Sequence, residues 1–161
     1  GFLRPDDGRI LVRDKEVGKD MDFPEDMGLI IETPGFLPGV SGLKNLKILA
    51  SLRRIADEKK IRETMERVGL DPDLKKNVNK YSLGMRQRLG IAQAIMEDPS
   101  ILILDEPFNG LDKHGVAQIR NLIKDLRREG RTIILASHNQ ADIDELCDTV
   151  CEMDDGNMWR K

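Results

Sequence analysis

The chain has 161 residues, the length of one ordinary domain, and 39% of them are hydrophobic, which is enough for one core. Its 26 basic and 29 acidic residues leave a formal net charge of -3, a near balance that gives no general signal for nucleic acid or a membrane surface as a partner. Cys147 and Cys151 are too few for a disulfide framework or a zinc site, and no apolar run approaches the ~20 residues of a membrane span.

The first forty residues alternate turns with short apolar runs. The segment from Gly1 to Arg9 is a loop punctuated by Gly and Pro, and domains rarely begin in mid-loop, so we expect a segment upstream of it. The pattern then predicts an edge strand from Arg9 to Val12 and a buried strand from Met27 to Ile31. A connection rich in proline and glycine follows over residues 32–39.

The next stretch is helical in pattern, beginning at Ser41, which is a suitable N-cap. We expect three helices, of which the second ends at Gly69, while the third begins at Ser82 and is followed by Pro99. Apolar residues at helical spacing mark their inward faces: Leu43, Leu46, Leu49, Ala50, Ile61, Met65, Val68, Leu89, Ala92, Ile95 and Met96.

After the third helix the pattern changes to strand, helix, strand. Ile101 to Leu104 and Thr132 to Ala136 are continuous apolar runs, and Gln118 to Glu129 between them is an amphipathic helix. A last helix, Ala141 to Cys147, and a last strand, Thr149 to Met153, repeat the unit. Strands without alternation, joined by helices, are typical of a parallel sheet buried on both faces.

This pattern predicts an α/β fold with an insertion. The α/β core comprises residues 1–40 and 99–161, and the inserted helical subdomain comprises residues 41–98. The sequence contains no internal repeat and no low-complexity segment.

Two adjacent carboxylates follow the buried run at 101–104. Asp105 and Glu106 are expected at the carboxyl edge of the parallel sheet, where ligands bind in such folds. Nucleotide hydrolysis needs one carboxylate to hold Mg²⁺, usually through water, and another to orient or deprotonate the attacking water. Asp105 suits the first role and Glu106 the second. Taken alone, a solvated acidic turn explains the pair equally well.

Two further residues are expected near this edge. His138 follows the next strand, which favours a role near the γ-phosphate over a merely exposed histidine. The segment from Asn109 to Asp112 is a tight turn that presents another carboxylate, and an N-cap role for Asp112 is compatible with function. His114 has no comparable context and is interpreted as a surface residue.

The start of the third helix has the features of an anion site. Ser82 caps it and Gly84 permits close packing, so backbone N–H groups and the positive end of the helix dipole favour a phosphate. Any capped helix offers this, and Arg86 and Arg88 alone would be a solvated basic face.

Together these stretches resemble the ATPase domains of ABC transporters. Tyr81 to Gln87 resembles the signature motif, Leu104 to Pro107 the end of the Walker B strand, Asn109 to Asp112 the D-loop and His138 the H-loop histidine. Glu32 takes the usual position of the Q-loop glutamine. Glu32-Thr33-Pro34, together with the segment from Tyr81 to Ala92, most resembles the bacitracin and lantibiotic resistance branch.

The resemblance implies a P-loop NTPase-like (RecA-like) parallel sheet with a helical insert, and ATP and Mg²⁺ as ligands. It assigns water activation to Glu106, γ-phosphate contact to His138, Mg²⁺ to Asp105 and Glu32, and ATP of the opposite subunit of a head-to-tail dimer to Ser82, Gly84, Met85 and Asp112. The implied partners are a second, identical or different, ATPase subunit and an integral membrane permease, without nucleic acid. The implied location is the cytoplasmic face of the membrane.

The implied function is ATP hydrolysis that drives export of a peptide-like or drug-like compound. Two alternatives remain: an ABC ATPase outside transport, and a non-catalytic subunit that acts as an interaction module.

The sequence departs from the family pattern in several places. It contains no G-x-x-x-x-G-K-[ST] loop, and its one Gly-Lys pair, Gly18-Lys19, is followed by Asp20. Leu83 replaces a usual glycine and Met85 a usual glutamine. The resemblance therefore implies a chain that begins after the phosphate-binding loop. Because strand edges and apolar surface would then be exposed, we expect the chain to be poorly stable or to self-associate and doubt that it hydrolyses ATP alone.

Overall fold

The computed structural model describes residues 3–32, 35–53 and 55–161. Thr33 and Pro34, which contribute to the branch resemblance, lie outside the described residues. The described strands are β1 Leu11–Val12, β2 Lys15–Glu16, β3 Met27–Ile30, β4 Ile101–Asp105, β5 Thr132–Ala136, β6 Cys151–Asp154 and β7 Asn157–Arg160. The described helices are α1 Gly42–Arg53, α2 Glu58–Arg67, α3 Leu83–Ile95, α4 Lys113–Arg128 and α5 Gln140–Leu146.

A three-stranded parallel sheet, in the order β3-β4-β5, forms the centre of the fold. Its register pairs Ile30 with Leu104 and Leu104 with Leu135. The predicted parallel α/β core is therefore present. Because all three strands run in the same direction, their carboxyl ends meet at one edge, as expected for a ligand-binding sheet of this kind.

One face of this sheet is covered by helices. Leu102 and Leu104 are fully buried there, in one core cluster with the apolar residues of α3 and α4. The contact between β3 and α3 is very close, because a Cβ atom at Gly28 would lie 1.9 Å from the carbonyl oxygen of Ala94. Glycine at this position is what lets the helix backbone approach the strand.

No helix of the described residues covers the other face, and much of it is open to solvent, so the prediction of a sheet buried on both faces is wrong for this chain. Leu29 and Ile134 are exposed on that face, with 56% of Ile134 accessible to solvent. They line an open apolar groove of about 670 Å³ together with residues of the β1–β2 hairpin, Ile10 and Leu11 among them. The strands are apolar on both sides, but within the described ranges only one side has helices packed against it.

The helical segment packs as predicted. Helix α2 contacts both α1 and α3, and the inward residues predicted for the three helices contribute to the core cluster. The Gly42 N–H at the start of α1 donates to the buried Tyr81 hydroxyl (3.2 Å), which ties α1 to the residue that precedes the Ser82 cap of α3. The core includes residues from both the sheet and these helices, and the division at residues 41–98 stays a prediction.

Two elements differ from expectation in the C-terminal half. Helix α4 begins at Lys113, five residues earlier than predicted, because the Asp112 carboxylate caps it by accepting from the Gly115 N–H (2.8 Å). The prediction that the last strand continues the parallel sheet is wrong. Strand β6 pairs antiparallel with β7 in a separate two-stranded sheet. The turn between them contains Asp155 and Gly156, both at positive φ. None of the helices in the described ranges is long and apolar enough to cross a membrane.

Candidate active site at the carboxyl edge of the sheet

The predicted catalytic and metal-binding residues follow the carboxyl ends of the three parallel strands. Glu32 lies two residues beyond β3, Asp105 ends β4 with Glu106 next to it, and His138 lies two residues beyond β5. The parallel topology places all four at the same edge of the sheet. Glu106 is bonded directly to His138, whereas Glu32 makes no hydrogen bond or ion pair with the other three described residues.

Glu106 has an unusual backbone conformation, with a φ of 46°, which side chains other than glycine seldom adopt. Its N–H donates to the carbonyl of Ala136 (3.0 Å). Its carbonyl accepts from the N–H of Asn109 (3.2 Å) and from Nε2 of Gln87 (3.2 Å). Contacts from three segments therefore hold a conformation that costs about 1–3 kcal/mol and persists only when its surroundings fix it.

The Glu106 carboxylate is bonded to the histidine loop. Its Oε1 accepts from the His138 N–H (3.0 Å) and lies 2.8 Å from Nδ1 of the same residue. A carboxylate at Nδ1 favours the tautomer in which Nδ1 carries hydrogen, which leaves Nε2 as an acceptor in the neutral ring. The Glu106 side chain is 28% exposed and that of His138 is 79% exposed, so both can reach a bound ligand.

The buried carboxylate of Asp142 holds the loop that carries His138. Asp142 is 2% exposed and accepts from Nε of Arg120 (2.7 Å) and from the Ser137 hydroxyl (3.4 Å). Ser137 in turn accepts from the N–H of Asn139 (3.2 Å). These bonds fix the backbone on both sides of His138.

Arg120 also connects this loop to the segment after Glu106. Its guanidinium lies 6.0 Å from the centre of the Phe108 ring and donates to Glu145 (2.8 Å). The hydrogen bond from Lys124, and then the charges of Lys124 and Arg120, hold the pKa of Glu145 below its ordinary value.

The start of α3 forms the second part of the site. The Ser82 hydroxyl accepts from the Met85 N–H (3.2 Å) and is exposed, whereas Met85 is partly buried and packs on the core. A Cβ atom at Gly84 would lie 2.6 Å from the carbonyl oxygen of Gly110. The predicted close packing of Gly84 is therefore present, and its partner is the turn that follows Glu106.

That turn spans residues 109–112 and lies under the first residue of α3. Gly110 has a φ of 74°, and a Cβ atom there would overlap the side chain of Leu83. Leu83, which stands where the family usually has glycine, thus covers Gly110 while remaining 56% exposed. The structure brings the helix start and the turn with Asp112 into one surface, beside the Glu106–His138 pair.

The metal-ligand prediction can be compared with the donor set. The described ranges contain no group of three or more His, Cys, Asp or Glu residues placed to hold a metal ion. Mg²⁺ usually takes one or two protein carboxylates and completes its shell with water and substrate phosphates. Asp105, half-buried at the end of β4, fits such a role. Glu32 is exposed, with a φ of 53°, and its role stays a prediction.

Gln87 contacts this site, although the sequence predicted no individual role for it. It is 5% exposed, and its side chain reaches the carbonyl of Glu106. The available signal was an amide within the buried stripe of α3 that continues with Leu89 and Gly90. A polar side chain among buried apolar positions needs a hydrogen-bond partner, and here the partner is the backbone of the predicted base.

Comparison with known proteins gives the family. Residues 1–109 match the family described as ABC transporter. The chain belongs to this family. Among curated ABC ATP-binding proteins it is 43% identical, over 98% of its length, to an uncharacterized protein of Bacillus subtilis, YybJ, and covers 72% of that relative.

Two further ABC relatives have names that state a substrate. The chain is 45% identical over 133 residues to the bacitracin transport ATP-binding protein BcrA of Enterococcus faecalis, with 82% of this chain and 43% of the relative aligned. It is 39% identical to a fluoroquinolones export ATP-binding protein of Mycobacterium tuberculosis, with 98% of this chain and 52% of the relative aligned. The chain thus spans about half the length of these two relatives.

Solved ABC structures confirm the fold. The dimeric ATP-binding cassette MJ0796, described as a post-hydrolysis state bound to ADP and Pi, superposes with a TM-score of 0.82 at 18% identity. It covers 99% of this chain, and this chain covers 75% of it. A second dimeric structure of the same cassette gives a TM-score of 0.83. The predicted α/β class and the resemblance to ABC ATPases are confirmed.

Proposed function

We propose that this chain belongs to an ATPase that drives an export ABC transporter. It provides the hydrolytic carboxylate of Glu106, the histidine His138 and a signature surface, which consists of Ser82, Gly84, Met85 and Asp112. The observation that carries the proposal is the Glu106–His138 pair, bonded through Oε1 at the carboxyl edge of the sheet. A carboxylate fixed beside a histidine at the edge where ligands bind is suited to activating water against a phosphoryl group.

Each residue of the site has a role in this proposal. Glu106 accepts a proton from the attacking water, and the described residues bond only its Oε1, so Oε2 is available for that water. His138 would contact the γ-phosphate through Nε2 while its Nδ1 stays bonded to Glu106. Asp105 would hold Mg²⁺, which supplies charge neutralisation for the phosphates when bound, and Glu32, two residues beyond the neighbouring strand β3, is the second proposed ligand.

The signature surface would serve a second subunit. Ser82 and Gly84 at the start of α3, with Met85 behind them and Asp112 in the adjacent turn, present backbone N–H groups and a hydroxyl on one exposed surface. Helix N-termini bind phosphate by their free N–H groups and their dipole. In the proposed head-to-tail dimer this surface contacts ATP held by the other subunit, and the dimeric state of the MJ0796 cassette supports that arrangement.

The transported compound is proposed from the relatives. A bacitracin transport protein and a fluoroquinolones export protein are 45% and 39% identical to the chain, which supports a peptide-like or drug-like substrate that is exported. We propose a separate integral membrane permease as the partner and an alternative in which the same chain is a non-catalytic interaction module. The second would apply to a protein that has no G-x-x-x-x-G-K-[ST] loop, because that loop supplies most of the phosphate-binding field.

ATP binding and hydrolysis separate these proposals. The chain alone is compared with the same chain joined at its N-terminus to a segment carrying a G-x-x-x-x-G-K-[ST] loop, hereafter the P-loop-bearing protein. We expect only the P-loop-bearing protein to hydrolyse ATP, and Glu106→Gln to lower its kcat by about 100-fold or more, because the proton acceptor is lost.

A matched substitution at an exposed position of α2, Glu66→Gln, controls for the loss of one negative charge and is expected to leave kcat unchanged. A P-loop-bearing protein that folds and binds ATP but turns over equally well with and without the Glu106 carboxylate would contradict the catalytic proposal. A folded protein that never binds ATP would support the interaction module.

A further inference from the structure

Gln87 connects the start of α3, which carries the signature surface, to Glu106. It lies on α3, five residues after the Ser82 cap, and its side chain is buried. Its Nε2 donates to the carbonyl oxygen of Glu106, at 3.2 Å, on a different segment of the chain. A single buried amide thus connects the helix that presents the signature surface to the residue that carries the hydrolytic carboxylate.

The bond from Gln87 is a second hydrogen bond to a carbonyl group that already has one partner. The Glu106 carbonyl already accepts from the Asn109 N–H (3.2 Å), so an apolar residue at position 87 would leave it with a hydrogen bond. Burying an amide instead has a desolvation cost of about 1–3 kcal/mol unless it finds a partner. The carbonyl oxygen therefore does not need the Gln87 donor as a partner, and the effect of that donor is to fix the orientation of the Glu106 peptide unit.

Orientation matters at this residue because Glu106 has a φ of 46°. A residue in this region stays there only when several contacts fix it, and a small rotation of its backbone moves the carboxylate by a comparable angle. The Glu106 N–H is held by Ala136 and its carboxylate by His138, both in or after β5. Within the described residues, Gln87 supplies the hydrogen bond to Glu106 that comes from the helical segment.

We propose that Gln87 is a positioning residue that makes the orientation of the Glu106 carboxylate depend on the position of α3. The proposal rests on the function proposed above and adds to it a connection within one subunit. If Ser82 contacts ATP of the second subunit, a shift of α3 on contact is transmitted through Gln87 to the carboxylate that acts on the ATP of its own subunit. Each subunit then hydrolyses fastest when its signature surface is engaged.

The first test needs no ATP and uses the 161-residue chain. Gln87→Met keeps the side-chain length and removes the donor. We expect amide hydrogen exchange at Glu106 and His138 to become about tenfold faster, because both N–H groups depend on the Glu106 conformation. Gln93→Met on the same helix, at a position that lines a separate cavity beside Arg53, is the matched control and should change neither rate.

The second test uses the P-loop-bearing protein. We expect Gln87→Met to lower kcat about tenfold with KM for ATP unchanged, since binding energy comes from elsewhere and only the reacting carboxylate is misplaced. In the Glu106→Gln background the same substitution should have no further effect, because Gln87 acts through that carboxylate.

These outcomes separate the two proposals. Equal exchange rates in Gln87→Met and the unsubstituted chain would overturn the positioning role whatever the protein hydrolyses. An equal fall in kcat in both backgrounds, or a fall accompanied by a raised KM, would assign Gln87 a general structural role and overturn the proposal. Faster exchange in the 161-residue chain, together with a P-loop-bearing protein that folds but does not hydrolyse ATP, would support the Gln87 contact and overturn the proposed function.

Discussion

The two faces of the β3-β4-β5 sheet have similar residues and very different surroundings. On one face Leu102 and Leu104 are buried against α3 and α4. On the other, Leu29, Ile103 and Ile134 line an open groove. Both sets belong to the same apolar runs, and the register of the sheet simply assigns alternate residues to opposite sides.

The difference shows what an apolar strand does and does not specify. Its side chains make both faces suitable for burial, but the free energy of burial is gained only where another element removes them from water. The covered face should therefore provide most of the stability of the described sheet. The uncovered face should provide little and make the chain prone to association.

The largest expected effect comes from shortening matched aliphatic side chains on the two faces. Leu104 is 1% exposed, so Leu104→Ala should lower the free energy of unfolding by about 2–5 kcal/mol through lost burial and a cavity. Ile134→Ala, at a residue 56% exposed, should cost less than about 1 kcal/mol. Urea unfolding of both variants measures the difference, and similar losses would show that the second face is covered in solution.

An intermediate effect is expected on self-association. If the apolar groove mediates it, Ile134→Lys should weaken association of the 161-residue chain about tenfold or more, because burying an isoleucine contributes about 1.5–3 kcal/mol. Sedimentation velocity over a concentration series is the measurement. Leu52→Lys, at a residue 78% exposed on α1 and away from the groove, is the matched control.

A chain that stays monomeric and melts cooperatively at every concentration would contradict this expectation. The same result would weaken the view that the uncovered face behaves as a hydrophobic surface.

Much of the fold could be predicted because local signals were strong. The caps Ser82 and Asp112, the buried runs of β4 and β5 and the helical spacing of α2 each depend on a few neighbouring residues. The C-terminal hairpin was not predicted, because an apolar run at residues 149–153 does not say which strand it pairs with. Exposed apolar surface was expected from the missing phosphate-binding loop, but the face of the sheet that carries it was not predicted, because a local apolar run does not say which side is packed.

The site was predictable in its residue types and less so in its connections. Glu106 and His138 follow neighbouring parallel strands, so their proximity followed from topology. The contact of Gln87 with the Glu106 carbonyl and the packing of Gly84 on Gly110 join segments distant in sequence. Such contacts depend on how α3 is placed against the turn, which no local pattern encodes.

The smallest expected effect concerns polar contacts at the amino ends of the strands. The question is whether they contribute to the free energy of unfolding in addition to the apolar packing on the covered face. Asp98, before β4, accepts from Arg131 before β5, and Arg131 also donates to the carbonyl of Pro99 (2.7 Å). Lys60 lies 3.8 Å from the same carboxylate. The hydrogen bond from Arg131, and then the charges of Arg131, Lys60 and Arg67, lower the pKa of Asp98.

A lowered folded-state pKa means that this contact stabilises the protein above the unfolded-state pKa, about 3.9, and that the gain is lost as pH falls through the folded-state pKa. Asp98→Asn should therefore lower the free energy of unfolding at neutral pH by no more than about 1 kcal/mol, since the carboxylate is 60% exposed and screened by solvent. Asparagine tolerates the φ of 59° at this position. Urea unfolding at neutral pH and near pH 3 should show the two proteins converging at the lower pH. A difference that persists unchanged at low pH would assign the effect to the backbone turn rather than to the charge, and the comparison of the two faces would then rest on apolar contacts alone.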